Sequence, residues 1–188
     1  MDAITYRRMT EAELAKLRDI DRSETIRVGY ELRDGHLFQM SVEWDAPDFF
    51  REGDGEHTVA HQIAFCRGHL EAKATMIGAF DSEKLVGIGL LTPEVRPKMA
   101  QLSYLQVSSA YRRRGIGSSI VDRLLRSAGE AGAKWVYVSA TPSQSAVEFY
   151  EHFGFGPVAE PLAELYALEP QDIHMIMELG ASAGGGSA

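Results

Sequence analysis

The sequence predicts an α/β fold in which one mixed β-sheet carries helices on both faces. Three observations lead there. From about residue 101 onward, apolar strand-like runs alternate with helical patterns, which implies parallel pairing. Before that point, two hairpin patterns imply antiparallel pairing. Residues 116–130 carry an apolar stripe at helical spacing through Ile116, Ile120, Val121, Leu124, Leu125 and Ala128. The length of 188 residues suits one compact domain. It is bounded here as residues 1–180, with a Gly-, Ala- and Ser-rich flexible tail at 181–188.

Taken in order, Ile4 to Met9 reads as a strand, and Thr10 caps a helix running to about Asp19. Residues 25–43 alternate on either side of Asp34-Gly35, a hairpin signal. Trp44 to Gly55 is rich in Asp, Pro and Gly and reads as a loop. Residues 56–74 show a helical stripe through Val59, Ile63, the Arg67 stem and Leu70. A second hairpin joins Met76–Phe80 to Leu85–Thr92, and Pro93 to Lys98 is a loop. Gln101 to Ser108 is a buried strand, and Trp135 to Ser139 is another. Ser143 caps a helix that ends at Gly154, a C′ glycine, and the last strand lies near Ile173 to Glu178.

Composition excludes several function classes. The net charge of −8 makes nucleic acid an unfavourable partner and leans weakly toward cationic ligands. The single cysteine, Cys66, allows no intrachain disulfide and reads as a buried structural thiol. The N-terminus lacks a basic segment followed by an apolar block, and no run reaches the length of a membrane span. A cytoplasmic protein that works without membrane contact is expected. Nothing in the sequence fixes the oligomeric state, so a homodimer is compatible with it. His57 and His61 stand four apart, but no third ligand is evident, and no metal is expected.

The most telling segment is Tyr111-Arg112-Arg113-Arg114-Gly115-Ile116-Gly117-Ser118-Ser119, at a strand-to-helix junction. Free backbone N–H groups and the helix dipole favour negative charge there. Glycines allow close approach, and arginines add charge-assisted bonds. The pattern is that of a phosphate cradle.

Arg112-Arg113-Arg114-Gly115-Ile116-Gly117 resembles the Arg/Gln-x-x-Gly-x-Gly/Ala signature of the GNAT acyltransferases, the Gcn5-related N-acetyltransferase superfamily. Downstream, Ala146 to Phe155 resembles that family's Ala-x-x-x-Tyr-x-x-x-Gly-Phe motif. The resemblance covers residues 75–155 well and the first 74 only in their order of elements. It implies a sheet splayed between its fourth and fifth core strands, and acetyl-CoA as co-substrate. The pyrophosphate would lie on Arg112, Arg113, Arg114, Gly115, Ile116, Gly117 and Ser118. The pantetheine arm would lie along Gln106 and Val107, with the Val107 N–H facing the thioester oxygen. Tyr150 would be the general acid toward the leaving thiolate, with packing beside Phe149 and Phe153 as the plainer reading. Ser143 either contacts the arm or only caps its helix.

The implied reaction is direct attack by an amine on the thioester, because Cys66 lies outside both motifs. The general base is open. Some family members carry a glutamate fourteen residues before the first signature glycine, where this chain has Gln101. Glu24, Glu31, Glu43, Asp172 and His174 are the remaining candidates, each with a plain surface or structural reading beside it. Tyr30, Phe38, Trp44, Phe49 and Phe50 either line an acceptor pocket or fill the core of the first hairpin. A small amine is the expected acceptor. The alternatives are a protein N-terminus or lysine, and a non-catalytic acyl-CoA sensor, which the Gln101 position favours.

Overall fold

A computed structural model describes residues 3–180, and the tail expected at 181–188 lies outside the described residues. In chain order the elements are β1 (Thr5–Arg8), a 3-10 helix (Glu11–Asp19), β2 (Glu24–Arg33), β3 (His36–Ala46), α1 (Val59–Glu71), β4 (Thr75–Asp81), β5 (Lys84–Arg96) and β6 (Met99–Val107). A short 3-10 turn (Ser109–Tyr111) leads to α2 (Ile116–Glu130), then β7 (Trp135–Ala140), α3 (Gln144–His152), β8 (Gly156–Pro157), α4 (Ala163–Leu168) and β9 (Ile173–Glu178). Seven strands form one sheet in the order β1-β4-β5-β6-β7-β9-β8, while β2 and β3 pair only with each other. The β6–β7 pair is parallel and its neighbours are antiparallel, so the sheet is mixed as expected.

Local chemistry explains the joints. The β2–β3 turn needs positive φ at both central residues, and Asp34 (49°) and Gly35 (78°) supply it. The Thr10 capping box forms with Glu13, but the segment it starts is wound as a 3-10 helix rather than an α-helix. Pro93 does not open a loop. It lies within β5, where the β5–β6 register shifts between Thr92 and Arg96, so its missing N–H falls in an interrupted stretch of ladder. β3 likewise runs on to Ala46, three residues beyond the expected hairpin. The expected helix over 56–74 contracts to Val59–Glu71, because Thr58 is its cap and its hydroxyl accepts from the His61 N–H. His57 is therefore outside the helix. α4, which is six residues long and buries none of them, has no counterpart among the expected elements.

Two apolar layers sandwich the sheet. On one face, Ile116, Ile120, Val121, Leu124 and Ala128 of α2 pack on Ile77, Ala79, Val86 and Leu91. On the other, Leu14, Leu17 and Cys66 pack on Phe80, Leu85, Ile88 and Leu90. The approach of α2 is tight: a Cβ on Gly89 would lie 2.6 Å from Ile120 Cγ2 and 2.9 Å from Leu124 Cδ1. Glycine in β5 therefore sets how closely the helix can sit on the sheet.

Candidate active site

The site begins where two strands part. β6 and β7 pair at only four positions, from Met99–Trp135 to Leu102–Val138. At the same place the β5–β6 register shifts between Leu91–Leu102 and Leu90–Tyr104, a bulge at Ser103 that bends β6 away from β7. Beyond it, Ser103 to Val107 has no partner strand on the β7 side, which leaves a free peptide edge inside the molecule. The gap is a cleft of about 920 Å³.

One wall of the cleft is the turn into α2. Arg113 and Gly115 both take positive φ, 59° and 74°, which reverses the chain between β6 and the helix. α1 and α3 are capped by Thr58 and Ser143 side chains, but Gly115 offers α2 no side-chain cap. The first helical bond runs from the Ser119 N–H to the Gly115 carbonyl at 3.0 Å. The N–H groups of Ile116, Gly117 and Ser118 come before it and are open to a ligand. All three residues line the cleft. A Cβ on Gly117 would make only ordinary contact with Phe149, at 3.4 Å, so a methyl fits there while a larger group projects into the cleft.

The three arginines do different work. Arg113 lines the cleft. Arg114 does not; its guanidinium lies 5.1 Å from the centre of the Tyr111 ring. Arg112 reaches the cleft wall, but its guanidinium donates to the carbonyls of Val107 (3.1 Å), Ser23 (3.1 Å) and Arg22 (2.7 Å) and pairs with Glu24 at 3.2 Å. It clasps the segment before β2 onto the turn into α2. Asp21 completes the clasp, accepting from the Ser109 hydroxyl (2.5 Å) and the Ser23 N–H (2.9 Å). Those bonds, with Arg112 nearby, hold the Asp21 carboxyl down at about 2.

Across the cleft lies α3. Tyr150 is 7 % exposed, its ring edge-on to Phe149 and Phe155. Burial, with the Asp172 and Glu169 carboxylates adding to it, pushes its phenol above the usual range, so it stays protonated at neutral pH. Ser143 caps the helix, accepting from the Ala146 N–H at 3.3 Å, and its side chain also bonds Ser145 at 3.1 Å. Gln106 and Val107 line the cleft on the β6 side, so Tyr150 and the expected cofactor residues other than Arg114 gather around one space.

The base candidates separate. Glu24 lies in the cleft wall, held by Arg112 and by the Ser145 hydroxyl at 2.6 Å. Glu31 pairs with Arg33, and Glu43 faces Arg27, both along the hairpin. His174 is buried on β9. Its Nε2 donates to the Glu169 carbonyl at 3.1 Å, and its Nδ1 lies 2.8 Å from the Tyr137 hydroxyl. Asp172 is not among the cleft residues; burial raises its carboxyl to about 6. Gln101 is buried on β6. Among the aromatics, Tyr30 and Phe49 are buried, while Phe38, Trp44 and Phe50 are exposed. Among the described residues no three His, Cys, Asp or Glu side chains gather as a metal group, and no helix is long and apolar enough to cross a membrane.

Several wall residues were not legible in the sequence, among them Arg22, Arg27, Gln144, Glu148 and His152. Glu148 accepts from the Tyr30 hydroxyl at 3.1 Å and from Gln144 Nε2 at 2.9 Å. With the Tyr30 N–H bonding the Pro142 carbonyl at 2.9 Å, this docks the β2–β3 hairpin on the start of α3. No short motif announces contacts between positions 118 apart.

A profile of the acetyltransferase (GNAT) family matches residues 38–155, more than half of the chain. No curated protein sequence matches. Among solved structures, a nourseothricin acetyltransferase superposes with a TM-score of 0.70 at 16 % identity, covering 94 % of this chain and 99 % of that one. A Bacillus anthracis protein assigned as a streptothricin acetyltransferase, solved with acetyl coenzyme A, gives 0.68 at 15 % identity, covering 93 % and 96 %. The PaiA N-acetyltransferase of Thermoplasma acidophilum, solved with coenzyme A, gives 0.62 at 13 % identity, covering 94 % and 99 %. At these identities the structures speak for the fold, while the profile match over the splayed strands, the glycine turn and α3 speaks for the family: the chain belongs to the GNAT acetyltransferases.

Proposed function

We propose that the protein transfers an acetyl group from acetyl-CoA to a primary amine of a small molecule by direct attack. The observation that carries this reading is the free β6 edge leading from the uncapped N-terminus of α2. The helix N–H groups suit a pyrophosphate. The peptide edge suits an arm with two amides, which pairs with it as a strand would. The protonated Tyr150 across the gap suits a leaving thiolate that needs a proton. Val107 and its neighbours would orient the thioester, and Arg113 would add charge at the phosphates.

A cationic group of the acceptor other than the reacting amine fits the opposite wall. Glu148 places a carboxylate there that is hydrogen-bonded by two neutral groups. The structural neighbours named for streptothricin and nourseothricin acetylation lend support by their names alone.

Thiol release from acetyl-CoA, measured with streptothricin, spermidine, L-lysine and a short peptide with a free N-terminus, tests the reading. Release with a small amine and not with the peptide is expected. Release with the peptide alone turns the assignment toward protein acetylation. Acetyl-CoA binding with no release by any amine supports a sensor, and no binding removes the donor assignment.

A further inference from the structure

The reaction needs a base. Of the cleft-wall carboxylates, Glu24 is tied to Arg112 and Ser145, and Glu148 accepts from Tyr30 and Gln144; Gln101, buried on β6, is not a base. The opposite face of the sheet holds a chain of hydrogen bonds that no motif revealed. His69 Nδ1 lies 2.8 Å from Thr92 Oγ1, and Thr92 Oγ1 lies 2.7 Å from Ser103 Oγ. The three residues come from α1, β5 and β6.

The position of Ser103 gives this chain its meaning. It is the first β6 residue beyond the last β6–β7 pair, and it is the residue the bulge leaves over. The turn into α2 follows Val107, so an arm laid along β6 from that turn runs in the direction of Ser103, and the acyl group of a thioester held beside Val107 points toward the vertex of the wedge. The bulge also lets Ser103 and Tyr104 both turn toward α1: Ser103 bonds toward His69, and the Tyr104 ring stands 5.8 Å from Phe65. The Tyr104 hydroxyl is buried there without a hydrogen-bond partner, a polar atom left waiting for one.

We propose that Ser103, Thr92 and His69 form the proton relay that deprotonates the acceptor amine, with His69 as the terminal base. The inference rests on the acetyltransferase reading above. The acceptor ammonium gives one proton to Ser103 Oγ, the Ser103 hydroxyl proton passes to Thr92 Oγ1, and the Thr92 proton passes to His69 Nδ1. His69 becomes imidazolium and the amine lone pair is freed. The amine then forms the N–C bond, the C–S bond breaks, and the thiolate takes the Tyr150 proton. The second proton shed by the amide nitrogen restores Tyr150, and His69, only half-buried, returns its own to solvent.

His69 is suited to start neutral. Burial lowers its pKa and is the sole cause of the shift. The titratable groups near it are Cys66 on its own helix, pushed up to about 12, and Tyr104 on β6, also raised, so both are neutral at neutral pH. Arg67 on α1 pairs with Glu11 of the 3-10 helix at 2.8 Å.

The test uses the amine that releases most thiol in the assay above and compares wild type, Thr92→Val, Thr92→Ser and Ser103→Ala. In the wild type, kcat/KM should be nearly flat between pH 7 and 9, because bound ammonium is deprotonated by the relay. Thr92→Val and Ser103→Ala should lower it at pH 7 by about 100-fold, and the rate should then climb tenfold per pH unit with the free-amine fraction. Thr92→Ser should restore both the rate and the flat profile. Acetyl-CoA affinity should stay within about twofold throughout, which separates loss of the relay from loss of the donor site. A flat profile in Thr92→Val and Ser103→Ala, or no rescue by Thr92→Ser, overturns the relay while leaving the acetyltransferase intact. No release from the wild type with any amine removes the reading on which it rests. Should Thr92→Val not fold, Ser103→Ala decides alone.

Discussion

Tyr150 is the side chain that the proposed mechanism assigns to one step. It sits on the α3 face toward the cleft, pressed between Phe149 and Phe155, with carboxylates rather than cations near it. Each influence favours the protonated phenol, which is the form the proposed acid step requires. Tyr150→Phe keeps the ring and removes the proton. It should leave acetyl-CoA affinity within about twofold and lower kcat by about 10²-fold, the lower end of what general acid catalysis provides. Equal turnover in both proteins, measured by thiol release at saturating acetyl-CoA, would leave Tyr150 a packing residue. Arg112 teaches the opposite lesson about single residues. Its place in the signature pointed to phosphate, yet its planar donors meet three carbonyls and Glu24, fixing the segment before β2 against the turn into α2. Sequence reveals that a guanidinium is present. Which acceptors it finds depends on chain segments about ninety positions away.

At the scale of elements, legibility follows range. The span of α2 could be read to the residue because its stripe of five buried positions is a local pattern. The β2–β3 turn could be read because Asp-Gly tolerates positive φ. Pro93 misled, since whether a proline ends a strand or sits in an interrupted ladder depends on the partner strand, here β6. The relay candidates Thr92 and Ser103 were silent for the same reason: a bulge is a property of two strands together. The closeness of α2 to β5 is likewise a two-element property. Gly89→Val would drive a branched side chain into Ile120 and Leu124 and displace the helix whose N-terminus faces the cleft. The cost should be about 1–3 kcal/mol of stability, or more if the backbone cannot shift. Because α2 carries Ile116 to Ser118, acetyl-CoA affinity should fall as well. Chemical denaturation and calorimetric titration measure the two effects; a loss of stability with unchanged affinity would show that the helix start is held independently of its packing.

Across the whole molecule, two carboxylates give pH dependences of opposite sign. Asp21 is held low by hydrogen bonds, so its contribution is present above the ordinary carboxylate range and is lost as pH falls toward about 2. Asp172 is raised to about 6 by burial, with Glu169 adding repulsion. There the folded state binds the proton more tightly than the unfolded chain does, and stability declines as pH rises from about 4, the usual carboxylate value, to about 6. Above 6 the ionised carboxylate is a constant liability, and it also raises the Tyr150 phenol. Asp172→Asn removes the charge while keeping the shape. It should raise Tm at pH 8, change little at pH 4, and abolish the decline between them. Scans at pH 4, 5, 6, 7 and 8 read all three. A Tm difference independent of pH would mean that Asp172 does not act through its charge. The same variant should bring the Tyr150 pKa down toward the ordinary phenol value, since one of its two neighbouring negative charges is gone. That links a stability cost at the edge of β9 to the protonation of the side chain that faces the cleft.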